Sequence, residues 1–329
     1  RLIIDRMSET DRIAQRRSAA QGQFRLAVGR GASLAAHDPL AQAAWLAIAD
    51  LDDSGRDARI YLAAPLTLAE IEAGFRARIE TVDEIAWDGR EGAVLARRQR
   101  RLDALVLSDD PLSSPDPARL LAALLAGIRA ADLAILPWTA TLHNLRARVA
   151  WMRRIEGETW PDLSDAALLA GLEAWLAPWL AGITRRSQFA RIDLASAIQT
   201  LIGHANSPRL DQLMPSHVKV PSGSSIAIDY TAADGPVLAV RLQEMFGATG
   251  TPKLAGGRVA LVLHLLSPAG RPVQVTRDLA SFWASAYRQV RADLRGRYPR
   301  HHWPEDPLQA APTNRVKRRG GSHSTSKTS

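Results

Sequence analysis

Four arginines crowd into five positions at Arg97, Arg98, Arg100 and Arg101. Guanidinium groups so spaced can track a phosphate backbone, because each offers a planar fork of donors to phosphate oxygens. The same cluster would equally suit a solvated edge strand, where charge discourages sheet-to-sheet pairing. Arg288, Arg291 and Arg295 fall at i, i+3 and i+7 of a C-terminal amphipathic segment and make a second basic ridge, with Asp293 nearby as in an ordinary solvent face. Arg30 sits in the Gly29-Arg30-Gly31 turn, and Arg315, Lys317, Arg318 and Arg319 form the densest positive run. Each is a candidate nucleic-acid contact.

Patterns that spell enzyme chemistry fail on their own geometry. Ser216-His217-Val218-Lys219 has the Ser-x-x-Lys spacing of penicillin-binding enzymes, which needs one helical turn between the two side chains. The segment reads as extended, so residues three apart point to opposite faces. His301-His302 with Glu305 and Asp306 lacks metal-ligand spacing, and His264 lies in an apolar run as a core histidine would. No Gly-Lys pair supplies a phosphate-cradling loop. With no cysteine, thiolate catalysis and Cys-based zinc sites are excluded. Trp138, Trp151, Trp160, Trp175 and Trp179 offer stacking surfaces, although their spacing favours packing.

The charge total is less informative than it looks. Of the net +8, five charges lie beyond Asn314, and 38 of the 42 basic residues are arginine. No apolar run is long enough to cross a bilayer and no export signal opens the chain, which points to a cytoplasmic protein without a membrane partner. The chain starts at Arg1 within an apolar stretch, as a piece of a longer protein would.

The elements that must carry these residues divide the chain. Residues 1–20 read as the end of a preceding domain or linker. Over 21–112, alternating Phe24, Leu26 and Val28 begin a series of short strands, at Trp45–Leu51, Arg59–Leu62, Thr81–Trp87, Ala93–Arg98 and Leu102–Leu107, with a Thr67-capped helix interposed. That series fits a small OB-like barrel. The Pro/Ser-rich stretch 109–117 marks a boundary. Residues 113–214 read as helical, with helices opening at Pro117, Thr139 and Ser164 and the third ending near Pro178. Residues 215–313 predict a mixed α/β domain, with a hairpin around Pro221-Ser222-Gly223, a central strand over Val259–Leu266 and a helix from Asp278 to Arg295 stopped by Gly296. Residues 314–329 cannot build a core. The fold class is therefore α+β: an OB-like small β-barrel, a helical region and a mixed α/β C-terminal domain.

Asp11–Arg17, Asp38-Pro39-Leu40, Trp160-Pro161-Asp162-Leu163-Ser164, Val220-Pro221-Ser222-Gly223-Ser224, Arg241–Gly247, Ser281-Phe282-Trp283 and Trp303-Pro304-Glu305-Asp306-Pro307 together resemble the C-terminal half of HrpB-type helicases of the DEAH/RHA class. The resemblance runs from about Asp11 to Arg319. It implies an accessory region for a motor whose RecA-like lobes, ATP and Mg lie outside this chain, so no catalytic or cofactor-binding residue is carried over and the chain alone is expected to be inactive. The implied partners are single-stranded RNA or DNA, the N-terminal helicase core and a further protein. The alternative is a protein-docking module that never touches nucleic acid.

Overall fold

The computed structural model describes residues 8–17, 21–35, 37–52 and 57–314, which divide into two compact units. The first contains residues up to Ala131 together with Gly182–Gln188, and the second contains the remainder.

In the first unit, β1 (Ile13–Arg16), β2 (Gln23–Leu26), β3 (Gly31–Ser33), β4 (Trp45–Asp52) and β5 (Ala58–Leu66) form a closed barrel in the order β1-β2-β3-β5-β4. The pair β3 and β5 is parallel, and the other neighbours are antiparallel. Alternation drives closure: Phe24, Leu26, Leu46, Ile48 and Ile60 point inward, and the small Ala14, Ala32 and Ala58 let the walls approach. After β5 comes α1 (Leu68–Gly74), whose Thr67 and Glu70 form a reciprocal capping box.

The strands that follow do not join the barrel. β6 (Ile79–Asp88), β7 (Ala93–Leu102) and β8 (Leu105–Pro111) make a separate antiparallel sheet with β7 in the middle. The expected span of the barrel therefore shifts. It gains Ile13–Arg16 from the segment read as a linker and loses everything after Leu66. The cause is pairing length, since β6 and β7 match over ten consecutive residues and satisfy each other's backbone without a barrel neighbour. Among the described residues no α-helix is interposed between barrel strands, only the 3-10 turn Pro39–Gln42 capped by Asp38. Leu102, Leu105 and Leu107 pack with Ile13, Trp45 and Ile71 in a second core. α2 (Pro117–Ala130), with Asp116 as cap and Pro117 in its first turn, packs on β6 within this unit.

The second unit holds α3 (Ala140–Glu156), α4 (Asp165–Ala170), α5 (Leu172–Leu176), α6 (Leu194–Ile202) and α7 (Asn206–Leu213), then β9 (His217–Lys219), β10 (Ser225–Asp229) and β11 (Val237–Arg241). The small pair β12 (Lys253–Leu254) and β13 (Val259–Ala260) precedes β14 (Val262–Leu266), β15 (Pro272–Thr276), α8 (Leu279–Ala284) and α9 (Tyr287–Arg297). The main sheet runs β15-β14-β11-β10-β9, with β11 and β14 parallel. The sequence carries no clear signal for β11, because the run Val237-Leu238-Ala239-Val240 is too short for a period. The expected single strand Val259–Leu266 breaks at Leu261, and the expected last helix breaks at Ser285, whose φ of −115° and ψ of −70° interrupt the ladder. Gly296 is not the stop, since α9 continues to Arg297.

Two side chains fasten α3 to its surroundings. Asn144 Nδ2 donates to the Ile228 carbonyl at 2.8 Å, and its Oδ1 accepts from Tyr230 N at 2.7 Å. Arg148 is buried, donating to the Met214 carbonyl at 2.6 Å and to Asp211 at 2.5 Å. Among the described residues, no helix is long and apolar enough to cross a membrane.

Candidate nucleic-acid interface

The arginine cluster lies on the central strand of the three-stranded sheet, not on a barrel edge, and carboxylates answer it one by one. Arg98 forks onto Asp83 with Nε to Oδ1 at 2.7 Å and Nη2 to Oδ2 at 2.9 Å. Arg97 meets Asp109 at 3.5 Å, Arg100 meets Glu72 at 2.5 Å and Arg101 meets Glu84 at 2.5 Å. The register explains only the first of these, since Asp83 and Arg98 are direct cross-strand partners, whereas Arg101 reaches Glu84 diagonally on β6, Arg97 reaches Asp109 on β8 and Arg100 reaches Glu72 on α1. The hydrogen bond from Arg98 holds the Asp83 carboxyl below the usual carboxylate range. A phosphate arriving here would have to displace an acid already in place.

The C-terminal ridge also divides. Arg291 is spent internally, donating to the Trp303 carbonyl at 3.1 Å and to Glu305 at 3.2 Å, whereas Arg288 and Arg295 stay exposed on α9. Arg315, Lys317, Arg318 and Arg319 lie outside the described residues. His301 packs its ring between Tyr298 and Trp303, and burial pushes its pKa down. His217 Nδ1 lies 3.1 Å from Ser216 Oγ on the extended β9, without the lysine geometry a serine nucleophile would need. Among the described residues, no cluster of three His, Asp or Glu side chains is arranged to hold a metal ion.

A better surface is the outside of the barrel across β2, β3 and β5, of which only Arg30 was singled out in the sequence. Arg25 projects outward from β2 opposite Gly31, and Arg30 follows in the turn made by Gly29 with φ of +88°. On β5, Arg59 lies next to Ser33 in the parallel register. Its guanidinium carbon is 5.6 Å from the centre of the Tyr61 ring, which is 57% exposed. Tyr61 points outward by alternation from the buried Ile60, and a bulge leaves it without a register partner on β4, because Leu51 pairs with Ile60 and Asp50 with Leu62. One acid tempers this face: Asp57 lies so close to Gly31 that a Cβ there would meet its carboxylate at 2.1 Å. The legible signal for the face was the outward alternation of Arg25 and the Arg59-x-Tyr61 spacing.

Two separate stretches of the chain match family models. Residues 78–112, which include the three-stranded sheet, match the connector region of the ATP-dependent RNA helicase HrpB. Residues 175–307 match a family described as ATP-dependent helicase C-terminal. The chain is 42% identical over 315 residues to the ATP-dependent RNA helicase HrpB of Escherichia coli (strain K12), covering 94% of this chain and 38% of that protein. A crystal structure of the E. coli DExH-box NTPase HrpB is similar with a TM-score of 0.61 and 41% identity, over 94% of this chain and 38% of that one. A second, of the Escherichia coli DEAH/RHA helicase HrpB, has a TM-score of 0.53 and 37% identity, over 90% of this chain and 37% of that one. The chain thus spans 38% of the length of the curated relative it matches.

Proposed function

Since this chain is the C-terminal portion of an HrpB-type ATP-dependent helicase, connector included, we propose that it is the accessory region that guides a single RNA or DNA strand for the motor. The observation that carries this reading is the outer barrel face, where Arg25, Arg30, Arg59 and the exposed Tyr61 share one surface. A five-stranded closed barrel of this strand order resembles oligonucleotide-binding barrels, which use the face of their second and third strands. A stacking ring beside guanidinium groups suits bases and phosphates without reading sequence. ATP and magnesium act, in this proposal, in the helicase core that works with the chain in the cytoplasm, and this region performs no hydrolysis itself.

The test is binding of a fluorescein-labelled oligouridylate or oligothymidylate by anisotropy at several salt concentrations. Wild-type chain is expected to bind with salt-dependent affinity, and Arg59→Ala with Tyr61→Ala to weaken it about tenfold, in line with roughly 1–3 kcal/mol per stacked base. Unchanged affinity in that double variant would remove the barrel face from the proposal. Charge compensation on β7 favours a second role for the connector sheet as a protein-contact surface, detectable as partner capture lost on Arg98→Asp with oligonucleotide binding intact.

A further inference from the structure

We propose a second single-strand nucleic-acid site, in the second unit, in the groove along α3. It rests on α3 and its own wall and does not depend on the barrel reading.

The groove encloses about 510 Å³. One side is a single helix face, because His143, Ala147, Ala150 and Arg154 recur at i, i+4, i+7 and i+11, with Arg146 and Arg153 alongside. The opposite wall is the Pro161–Ser164 segment and Thr231. Two aromatic rings adjoin the helix side, each under a guanidinium: Arg146 over Trp138 at 4.7 Å and Arg154 over Trp151 at 5.0 Å. Both tryptophans are partly exposed, unlike the fully buried Trp160.

How Arg153 and Arg154 are held separates them from the β7 cluster. Arg153 donates to the Trp160 carbonyl at 2.6 Å and Arg154 lies on an indole, so neutral partners orient both and their charge is not cancelled in contact. Arg146 is anchored twice, to the Leu163 carbonyl at 2.8 Å and to Asp165 at 2.5 Å, which fixes its plane over Trp138. The one acid among the groove's lining residues is Asp162. Asp162 belongs to the loop wall, where the Ser164 amide donates to its carboxylate at 2.8 Å and keeps it ionised below the usual range.

This charge division orients the ligand. A phosphate backbone runs along α3 past Arg154 and the outer side of Arg153, which also faces Asp162 across the groove, while bases turn to the apolar floor of Ala147, Ala150, Pro161 and Leu163 and to the Trp138 and Trp151 rings. Duplex keeps its bases stacked and offers no free ring faces, so the chemistry selects a single strand.

The experiment uses the whole chain, a fluorescein-labelled oligouridylate and its bromouridine-substituted counterpart. Arg153→Gln with Arg154→Gln is expected to weaken binding about tenfold and to flatten the slope of log affinity against log salt by about 1.4, two lost contacts at about 0.7 each. Ala150→Glu, at an exposed position that keeps the helix, should weaken binding comparably. Light-induced crosslinks should map to the peptides of Trp138 or Trp151. Folded variants with unchanged affinity and slope, crosslinks confined to residues 13–66, or no binding by the wild-type chain would each overturn the α3 site. Crosslinks at α3 with full affinity retained by the Arg59→Ala, Tyr61→Ala variant would support it and remove the barrel face instead.

Discussion

The indole of Trp87 lies directly on the backbone of Gly127, with its Cγ and Cδ2 2.3 Å from where a Cβ on Gly127 would stand. Glycine in mid-helix normally costs stability, so its presence in α2 is explained by this close approach to β6. Gly127→Ala is expected to destabilise the first unit by about 1–3 kcal/mol through overpacking, read as a lower urea midpoint. Trp87→Leu in the same chain should recover part of the loss. A fully additive pair would show that the two residues do not contact.

Asn144 is the corresponding fastener in the second unit, where one side chain satisfies the Ile228 carbonyl and the Tyr230 amide together. Asn144→Ala leaves both backbone groups searching for partners, at a cost of about 1–3 kcal/mol. Asn144→Asp keeps the acceptor for Tyr230 but sets a carboxylate against the carbonyl, so it should rescue little. Hydrogen exchange at the Tyr230 amide distinguishes the variants: fast exchange in Asn144→Ala, retained protection in Asn144→Asp.

These local devices were legible in the sequence wherever the signal was itself local. The Thr67 capping box, Pro117 in the first turn of α2, the hairpin of β9 and β10 and the turn after β14 are all written in neighbouring residues. Barrel closure was not, because it depends on β1 reaching β4 and β3 reaching β5 past intervening strands, which no short-range period encodes. For the basic residues, type was legible and consequence was not. Yet a clue to the compensation was present: three acids, Glu80, Asp83 and Glu84, face the arginine cluster across the 88–93 turn, although only Asp83 and Arg98 pair directly in register. The barrel face was harder still, since alternation marks Arg25, Arg59 and Tyr61 as outward but only the pairing of β2 with β3 and of β3 with β5 brings them together.

Glu156 gathers three partners at the end of α3: Trp160 Nε1 donates to it at 2.8 Å, and Arg209 and Arg258 each pair with it at 3.0 Å. The Trp160 hydrogen bond, followed by the arginines, holds its carboxyl below the ordinary glutamate range although the side chain is only 13% exposed. A depressed folded-state pKa contributes stability above the unfolded value, and that contribution is lost as pH falls through the folded value. Melting temperature should therefore drop as acid is added below about 4.5, and Glu156→Gln should flatten that part of the profile. At neutral pH the same variant should cost about 1–3 kcal/mol, because the charged acceptor is gone. An acid limb as steep in Glu156→Gln as in wild type would assign it to other carboxylates.

The paired arginines of β7 make the sharpest contrast with the exposed Arg25 and Arg59 of the barrel face and Arg154 of α3. Asp83 and Arg98 stand directly opposite each other, so Arg98→Asp places like charges on adjacent strands and should lower the melting temperature slightly. The double exchange, Asp83→Arg with Arg98→Asp, restores the pair in mirror image and should restore the melting temperature. Neither variant should change oligouridylate affinity or its salt slope, because a guanidinium already neutralised by a carboxylate releases no counterions from the strand. Loss of affinity in both would mean that phosphate competes successfully with Asp83, and the arginines of β7 would then belong to the strand-binding surface. Loss in Arg98→Asp alone, recovered by the exchange, would mean that repulsion had distorted the sheet and not that a phosphate contact was missing.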